Sequence, residues 1–372
     1  PICARSFKYG ATRNFVKGLK VVLASGDTVN IKRGTTVAAD GNLIELETEQ
    51  GKQIAIKRPT YERPDVRKNV SGYFNEQPLD AIDLFIGSEG TLGVITEIEL
   101  SLLPKPEGFF SGIVFFEKEA ELLNFVNEVR ELSFSSRTGG QGARVPALDA
   151  TLLEYFDANS LKFISQKFPE TPDGMAGAIF FEQETISDSE DALLEQWNEL
   201  LEQNNADLER SWFTTNEQDR EKMRAFRHAL PVSVNERVVR NKQRKIGTDM
   251  AVPDANFPGF LRFYSQTLDV SGLDYVIFGH IGDCHLHANI LPKDETQAEQ
   301  ARHLYGRFIA QSIMLGGTIS AEHGIGKLKS KYLQVMMGER YINEMAELKR
   351  AFDPNGILGR GNVFDAKFLV EN

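Results

Sequence analysis

The sequence predicts an α+β fold with a large, mostly antiparallel sheet and a helical C-terminal segment. Between residues 108 and 203, strand-like runs and amphipathic helical runs follow one another in a repeated β-α-β order. The first hundred residues contain period-two alternation of apolar and polar side chains, and the last third has mainly helical spacing. The length of 372 residues exceeds what one ordinary core needs, so we expect two domains.

The first predicted domain comprises residues 1–104. In GLKVVLASGDTVNI, which starts at Gly18, alternating residues flank a Ser-Gly-Asp turn and predict a hairpin. Residues 35–80 are polar and rich in turn formers, so we expect an elaborated loop there. A glycine-rich turn then precedes the β-branched strand VITEIEL, and Pro104 and Pro106 indicate the domain boundary.

The second predicted domain, residues 105–372, begins with the β-α-β units. FSGIVFF, ALDATLLEYF and GAIFFEQE predict strands; KEAELLNFVNEVREL, SLKFISQKF and SDSEDALLEQWNELLEQ predict helices, the last opened by Ser and Asp suited to capping. This order is similar to that of a ferredoxin-like sandwich. We then expect a long helix that ends at Pro231, a helix in ANFPGFLRFYSQTL, and two buried strands, LDYVIFG and HLHANIL.

Composition excludes several classes of protein. The net charge of −11 opposes binding to nucleic acid, whose phosphates require a basic surface. No apolar run approaches the roughly 20 residues that span a bilayer. Cys3 and Cys284, the two cysteines, lack the spacing of a disulfide framework or an iron–sulfur ligand set. We expect a cytoplasmic protein, and contact with the inner face of a membrane through a small patch stays open.

His280, His285 and His287 lie within eight residues, although the chain has only six histidines. On one regular strand His285 and His287 face the same way, since side chains alternate. His280 is an odd number of positions from His287, but the intervening Gly282 and Asp283 favour a turn that resets the phase. Spacing therefore favours His285 with His287 as metal ligands and leaves His280 open.

Glu322 precedes His323 in the glycine-flanked loop GTISAEHGIGK. One residue of such a pair is suited to bind a cation and the other to act as general base. The alternative is that these histidines and Glu322 are satisfied polar residues of a hairpin and its surroundings. The helical HExxH pattern of metalloproteases is absent.

Two further features have functional and structural interpretations. GSEGTLG, residues 87–93, lets a bound group approach the backbone closely, but it is also typical of a tight turn between strands. Arg227 lies in a basic stretch whose other charges we expect to be solvated. Its helical spacing from Phe226 and Leu230 suits a guanidinium that binds a carboxylate in a cleft.

Three segments together, DLFIGSEGTLGVITEIEL, FGHIGDCHLHANILP and GTISAEHGIGK, resemble the FAD-linked oxidases of the vanillyl-alcohol oxidase superfamily. Within it the chain is most similar to the D-2-hydroxyacid dehydrogenases, which act on D-lactate, glycolate or D-2-hydroxyglutarate. The resemblance extends over essentially the whole chain. It implies that residues 1–104 are the second half of a PCMH-type FAD-binding domain, whose first half we expect upstream of Pro1 or in a separate subunit. Residues 105–372 would form the substrate or cap domain, whose C-terminal end, about 30 residues, returns to the flavin domain.

The resemblance also implies the metal site. In the related pattern H-x-G-D-G-N-L-H two histidines bind a divalent, zinc-like metal; they correspond to His280 and His287, with Glu322 as third ligand and His323 as catalytic base. His285 stands where the pattern has asparagine, which makes it either an additional ligand or a polar substitute for the amide.

Substrate and flavin contacts follow from the same resemblance. Arg227 and Asn289 match positions near the substrate, and Lys245 is the available substitute for a lysine that relatives place slightly later. The flavin contacts implied are Gly87, Ser88, Glu89, Gly90, Thr91, Gly93 and Ile95.

The implied reaction removes a hydride from C2 of a D-2-hydroxy acid, with FAD as its acceptor and the metal assisting. The electrons would pass to a separate quinone, electron-transfer protein or iron–sulfur subunit, and we consider a homodimer. Two alternatives remain: a metal-dependent hydrolase, which has no need of GSEGTLG, and a fragment or subunit that is inactive without the other flavin half.

Overall fold

The computed structural model describes residues 5–38, 43–138, 147–186, 190–214 and 216–370. The strands within these ranges are β1 (Val16–Val22), β2 (Thr28–Lys32), β3 (Leu43–Glu47), β4 (Gln53–Lys57), β5 (Val94–Leu100), β6 (Gly108–Phe116), β7 (Ala150–Asp157), β8 (Gly177–Thr185), β9 (Trp212–Phe213), β10 (Ile246–Gly247), β11 (Tyr275–Gly279) and β12 (His287–Ile290). The α-helices are α1 (Ser6–Tyr9), α2 (Ala81–Phe85), α3 (Glu119–Thr138), α4 (Ala158–Ile164), α5 (Glu190–Gln203), α6 (Glu217–Asn241), α7 (Phe257–Asp269), α8 (Glu295–Met314), α9 (Ser330–Met337) and α10 (Glu339–Phe352).

The predicted antiparallel sheet is confirmed. Seven strands pair in the order β10-β12-β11-β7-β8-β6-β9, and every pairing between them is antiparallel. Neighbouring residues of β8 point to opposite faces: Ile179 and Phe181 pack with the core on one side, and Phe180 with the core on the other. Trp197 of α5 stacks on Phe181 with ring centroids 4.0 Å apart, while Phe226 of α6 lies on the opposite face. Helices therefore cover both faces, as expected for an α+β fold.

Two smaller sheets form from the first hundred residues. The predicted hairpin of β1 and β2 is present, and β5 pairs with the other edge of β1. The expectation of a loop throughout residues 35–80 was wrong, because β3 and β4 form a hairpin within it. Their sequences, LIELE and QIAIK, alternate between buried and exposed residues, which is the period-two signal of a half-buried strand; the prediction of a loop weighed the polar and turn-forming composition of residues 35–80 above it.

The long helix α6 does not end at Pro231, contrary to expectation, but continues through it to Asn241. Proline lacks only its own N–H, so the carbonyl four residues earlier loses one partner. Burial of Phe226, Leu230 and Val234 along the same face keeps the helix continuous. The Ser and Asp residues expected to cap α5, at 187–189, lie outside the described residues.

The C-terminal helix α10 packs on the glycine-rich turn at residues 87–93. Its Lys349 is almost completely buried and donates hydrogen bonds to the Thr91 carbonyl, the Leu358 carbonyl and Asp353 Oδ2 at 2.7, 2.7 and 2.8 Å. Phe352 lies edge-on to Phe85, with ring centroids 5.0 Å apart. The chain thus returns to its first hundred residues, while the division into domains at residue 104 stays a prediction.

Across the described ranges, we find no helix that combines the length and the apolar character needed to cross a bilayer.

Replacing Lys349 by methionine should lower the free energy of unfolding by about 3 kcal/mol, because the buried Asp353 carboxylate and two carbonyls lose their cation. Urea unfolding followed by circular dichroism measures the change. Methionine at the exposed Lys162 is the control and should leave stability within about 0.5 kcal/mol of wild type. Equal effects of the two substitutions would contradict the role of Lys349.

Candidate active site

The turn between β11 and β12 brings the three clustered histidines together. Residues Ile281–Asp283 form one 3₁₀ turn, and Cys284 follows with a φ of 52° in the left-handed region. The strands on either side pair antiparallel, with Phe278 opposite His287. This turn resets the side-chain phase, so His280 enters the cluster from one side of it and His285 and His287 from the other.

Glu322 completes this cluster from a distant loop. Its Oε1 lies 3.2 Å from Nε2 of His280 and 3.2 Å from Nε2 of His287, and its Oε2 lies 3.9 Å from Nδ1 of His285. One ligand atom from each of the four side chains lies within 4.8 Å of all the others. The structure therefore brings together both the pair favoured by spacing and the set implied by resemblance, and His285 is not separate from it.

The second ring nitrogen of each histidine faces an acceptor outside the cluster. Nδ1 of His280 hydrogen bonds to Glu154 Oε1, and Nδ1 of His287 donates to the Thr248 carbonyl at 2.9 Å. Nε2 of His285 lies 3.2 Å from Oδ1 of Asp249, close but without the alignment of a hydrogen bond. Acceptors in these positions orient imidazoles in metal sites, leaving the other nitrogen to face the ion.

Neighbouring groups and burial shift the pKa values of Glu322 and of two histidines in the cluster. Burial alone would raise the pKa of Glu322, but hydrogen bonds with His280 and His287 hold it well below its usual range. Burial opposes charge on His280, yet Glu154 and Glu322 raise its pKa to about 9. Burial and the neighbouring His287 lower the pKa of His285 to about 3, so its imidazole is neutral at physiological pH.

His323 lies beside the cluster and is 56% exposed. Its ring stacks on that of His287, with centroids 4.7 Å apart and planes 7° from parallel, and its backbone N–H donates to Asp249 Oδ2 at 3.0 Å. Burial lowers its pKa, so a neutral ring is available to accept a proton. His323 also approaches Asp249 and His287 closely enough for a second metal-binding set.

That second set is the weaker one because Asp249 is already occupied. Its carboxylate accepts hydrogen bonds from the backbone of Glu322, the Ser320 hydroxyl and the Lys329 ammonium, in addition to that from His323. An oxygen with several donors has little electron density to offer an ion.

The remaining predicted substrate residues form two neighbouring contacts. Arg227 Nη2 lies 3.2 Å from Glu154 Oε2, while the other oxygen of Glu154 binds His280. Lys245 Nζ donates to Asn289 Oδ1 at 2.8 Å, and burial lowers the lysine pKa. The structure thus joins Arg227 to the cluster through Glu154, and it pairs Lys245 with Asn289, which lies two residues beyond His287 on β12.

A cavity of about 530 Å³ connects the glycine turn to the cluster. Gly87 and Glu89 line it on one side, and Glu322, His323 and Gly324 on another. Its basic residues are Arg13, Arg63, Arg67 and Lys68. The cavity therefore joins the predicted base and a predicted ligand to the turn predicted to contact flavin. Among the described residues, its lining does not include Arg227, Lys245 or Asn289.

Residues of the glycine turn have different structural roles. Glu89 accepts hydrogen bonds from the backbone N–H groups of Ile325 and Gly326, each at 2.6 Å. A Cβ on Gly93 would lie 2.5 Å from a methyl of Val21, so this glycine permits close packing of the chain. Buried residues of the turn are Ser88, Thr91, Leu92 and Gly93, while Ile95 on β5 is exposed and Gly90, with φ of 68°, has no described atom within 4 Å of its Cβ position.

Sequence reasoning missed Glu154, Asp249 and Lys68. Glu154 is a single charge within the apolar strand LLEYF, and that was a usable signal for a buried polar role. Asp249 is the one acidic residue of the short run TDMAVP. Lys68, almost completely buried between Asp283 and Glu322, lies in a polar loop where nothing distinguishes it from solvated lysines.

Comparison with protein families matches residues 143–363 to the model described as FAD linked oxidases, C-terminal domain. The glycolate oxidase subunit GlcD of Bacillus subtilis (strain 168) is 27% identical over 371 residues, covering 97% of this chain and 65% of the relative. The D-lactate dehydrogenase of Anaerostipes hadrus is 27% identical over 96% of this chain and 66% of the relative. The D-2-hydroxyglutarate dehydrogenase of Stutzerimonas stutzeri (strain A1501) is 26% identical over 96% and 67%. The chain thus spans about two-thirds of these relatives' lengths.

A solved structure of p-cresol methylhydroxylase with substrate bound superimposes with a TM-score of 0.60 over 95% of this chain and 66% of that one, at 15% identity. At this identity the likeness concerns the fold. It agrees with the expected α+β architecture of the PCMH type.

Alanine at Glu89 should lower the free energy of unfolding by about 2 kcal/mol, since two backbone N–H groups lose a charged acceptor. Glutamine at the same position keeps one acceptor oxygen and should cost less. Urea unfolding measures both changes, with alanine at the exposed Glu131 as control. If Glu89→Ala is as stable as the control, the turn does not hold the His323 loop through this carboxylate.

Proposed function

Because the chain belongs to the FAD linked oxidases, we propose that it acts in a flavin-dependent dehydrogenase that removes a hydride from C2 of a D-2-hydroxy acid. The substrate class is that of lactate, glycolate and 2-hydroxyglutarate, after the names of the relatives. The observation that carries the proposal is the shared cavity, which His323 lines together with the glycine turn. A proton acceptor and a cofactor contact that face one cavity suit oxidation of an alcohol.

The cavity fits a flavin cofactor on the side of the glycine turn. Gly87 has a φ of 83°, and only Arg13 Nη2, at 3.7 Å, approaches the position of a Cβ on it, so the backbone is open to close approach. The cations that line the same cavity suit the negative pyrophosphate of a dinucleotide. Bound FAD would supply the two-electron acceptor.

The histidine cluster fits a divalent metal. His280, His287 and Glu322 would hold a zinc-like ion, because their ligand atoms already face one point and the two histidines are oriented by outer acceptors. Such an ion would act as a Lewis acid toward the substrate oxygens.

We assign the proton transfer to His323. Its exposed ring is held by stacking on His287 and by the backbone contact with Asp249, so it is positioned independently of the substrate. Its lowered pKa keeps the ring neutral and ready to accept the hydroxyl proton. Stacking fixes the ring plane, which orientation of a general base requires.

Arg227, Lys245 and Asn289 are our candidates for the substrate carboxylate; they lie outside the lining of the cavity, so the substrate would have to extend from it past the histidine cluster to reach them. Arg227 is 28% exposed and touches the cluster through Glu154, so part of its guanidinium is accessible. Lys245, which directly precedes β10, donates a hydrogen bond to Asn289 on the adjacent strand β12. The electrons leave to a separate acceptor, a quinone or another protein, because two cysteines cannot ligate an iron–sulfur cluster.

Visible absorbance of the purified chain after incubation with FAD tests the proposal, with metal analysis of the same sample. We expect a flavin band that bleaches under anaerobic conditions on addition of D-lactate, glycolate or D-2-hydroxyglutarate. Metal without any retained flavin would contradict the proposal for this chain and favour the hydrolase or the inactive fragment.

Asparagine at His323 should slow flavin bleaching at least about a hundredfold, the usual contribution of a general base, while metal content stays at the wild-type level. Stopped-flow absorbance measures the rate, and atomic absorption measures the metal. Asparagine at the exposed His303 on α8 is the matched control and should change neither. Loss of metal from His323→Asn would show that this residue is a ligand rather than the base.

A further inference from the structure

His285 is completely buried, and among the described residues its Nδ1 has no hydrogen-bond partner, while its Nε2 lies 3.2 Å from Asp249 Oδ1 without the alignment of a hydrogen bond. We infer that His285 is a third imidazole ligand, so that the chain offers three nitrogens and one carboxylate to a single divalent cation. The inference deepens the metal site of the proposed function and rests on it. At this position the related sequence pattern has asparagine.

The burial of His285 favours a bound cation. Polar groups inside proteins nearly always have a partner, and one without a partner loses the free energy of its hydration. His280 and His287 each have a hydrogen-bonded ring nitrogen, but Nδ1 of His285 has none. It faces Oε2 of Glu322 at 3.9 Å, across the cluster. A cation placed among the four side chains would satisfy this nitrogen.

The position of Asp249 orients the His285 ring for metal binding. Its carboxylate lies 3.2 Å from Nε2 of His285, which favours the tautomer with the proton on Nε2 and the lone pair on Nδ1. The carboxylate cannot easily turn away, because Ser320, Lys329 and the backbone of His323 hold it. Asp249 therefore directs the Nδ1 lone pair of His285 to the cluster, just as the outer acceptors of His280 and His287 direct the Nε2 lone pairs of those two residues.

The distances between the ligand atoms also suit a single cation. Ligand atoms of a tetrahedral zinc site, with bonds of about 2.0–2.1 Å, lie about 3.3 Å from one another. The separations from Glu322 to His280 and His287 are both 3.2 Å, and that to His285 is 3.9 Å. The first two distances are to Oε1 and the third is to Oε2, and one ligand atom from each of the four side chains lies within 4.8 Å of the others, close to the spacing that one ion requires.

The chemical consequence is selectivity. Three imidazoles and one carboxylate favour zinc-like and cobalt-like ions over ions that prefer oxygen ligands, such as magnesium. Lys68 reinforces this arrangement from outside, since its ammonium lies 3.3 Å from Oε2 of Glu322 and leaves Oε1 facing the two Nε2 atoms. If His285 served only as a polar substitute for asparagine, selectivity would not depend on it.

Cobalt titration of the metal-stripped full chain tests the inference without any catalytic assay. Asparagine at His285 should weaken Co²⁺ binding at least about tenfold and change the visible ligand-field bands, because one nitrogen donor is lost. Asparagine at the exposed His303 should bind as wild type, and asparagine at His287 should lose binding. If His285→Asn keeps wild-type affinity and spectrum while His287→Asn loses binding, the inference is wrong and the metal site of the proposed function stands. If wild type itself binds no Co²⁺, both fail.

X-ray absorption of the zinc-loaded wild-type chain provides a second readout that no folding defect of a variant affects. Multiple scattering from imidazole rings counts the bound histidines. Three imidazoles support the inference, and two would overturn it.

Discussion

The buried carboxylate of Asp249 is the contact on which the candidate site depends. It joins the segment after β10 to the loop that carries Glu322 and His323, more than 70 residues later, by accepting both backbone N–H groups of that pair at 3.2 and 3.0 Å. Burial alone would raise the pKa of this carboxyl, but His285 and Lys329 hold it well below its usual range. A buried charge is tolerated here because three donors converge on Oδ2 and the Glu322 N–H binds Oδ1, so the loop and the carboxylate fix one another.

The loop is held from its other side by Glu89. That carboxylate accepts hydrogen bonds from Ile325 and Gly326, whereas Asp249 engages the residues just before them. The loop that carries His323, the candidate base, is therefore held on one side by Glu89 of the glycine turn and on the other by Asp249, which follows β10. The predicted flavin contact and the proposed proton acceptor face one cavity through two acidic side chains, neither of which we assign to the reaction itself.

Local patterns predicted most of the fold because strands β6, β7 and β8 are mainly apolar runs of strand length and helices α3 and α5 repeat apolar residues at helical spacing. The same logic failed where two effects compete. The polar, turn-rich composition of residues 35–80 was given more weight than the alternation of β3 and β4, and packing around Phe226 outweighed the breaking tendency of Pro231. In the site, spacing predicted His285 with His287 and resemblance predicted His280 with His287; the turn at Ile281–Asp283 unites all three. The apolar strand around Glu154 was a signal for its buried role, but the residues that Glu154 and Lys68 contact could not be predicted, because these contacts join residues more than a hundred positions apart and follow no period.

We propose that His280, His285, His287 and Glu322 hold one cation at a defined point beside His323. An anomalous difference map at the zinc edge, from crystals of the zinc-loaded chain, locates such an ion directly. We expect one peak within about 2.0–2.2 Å of Nε2 of His280, Nε2 of His287, Nδ1 of His285 and an oxygen of Glu322. A peak among Asp249, His287 and His323 instead, or no peak in the cluster, would contradict it.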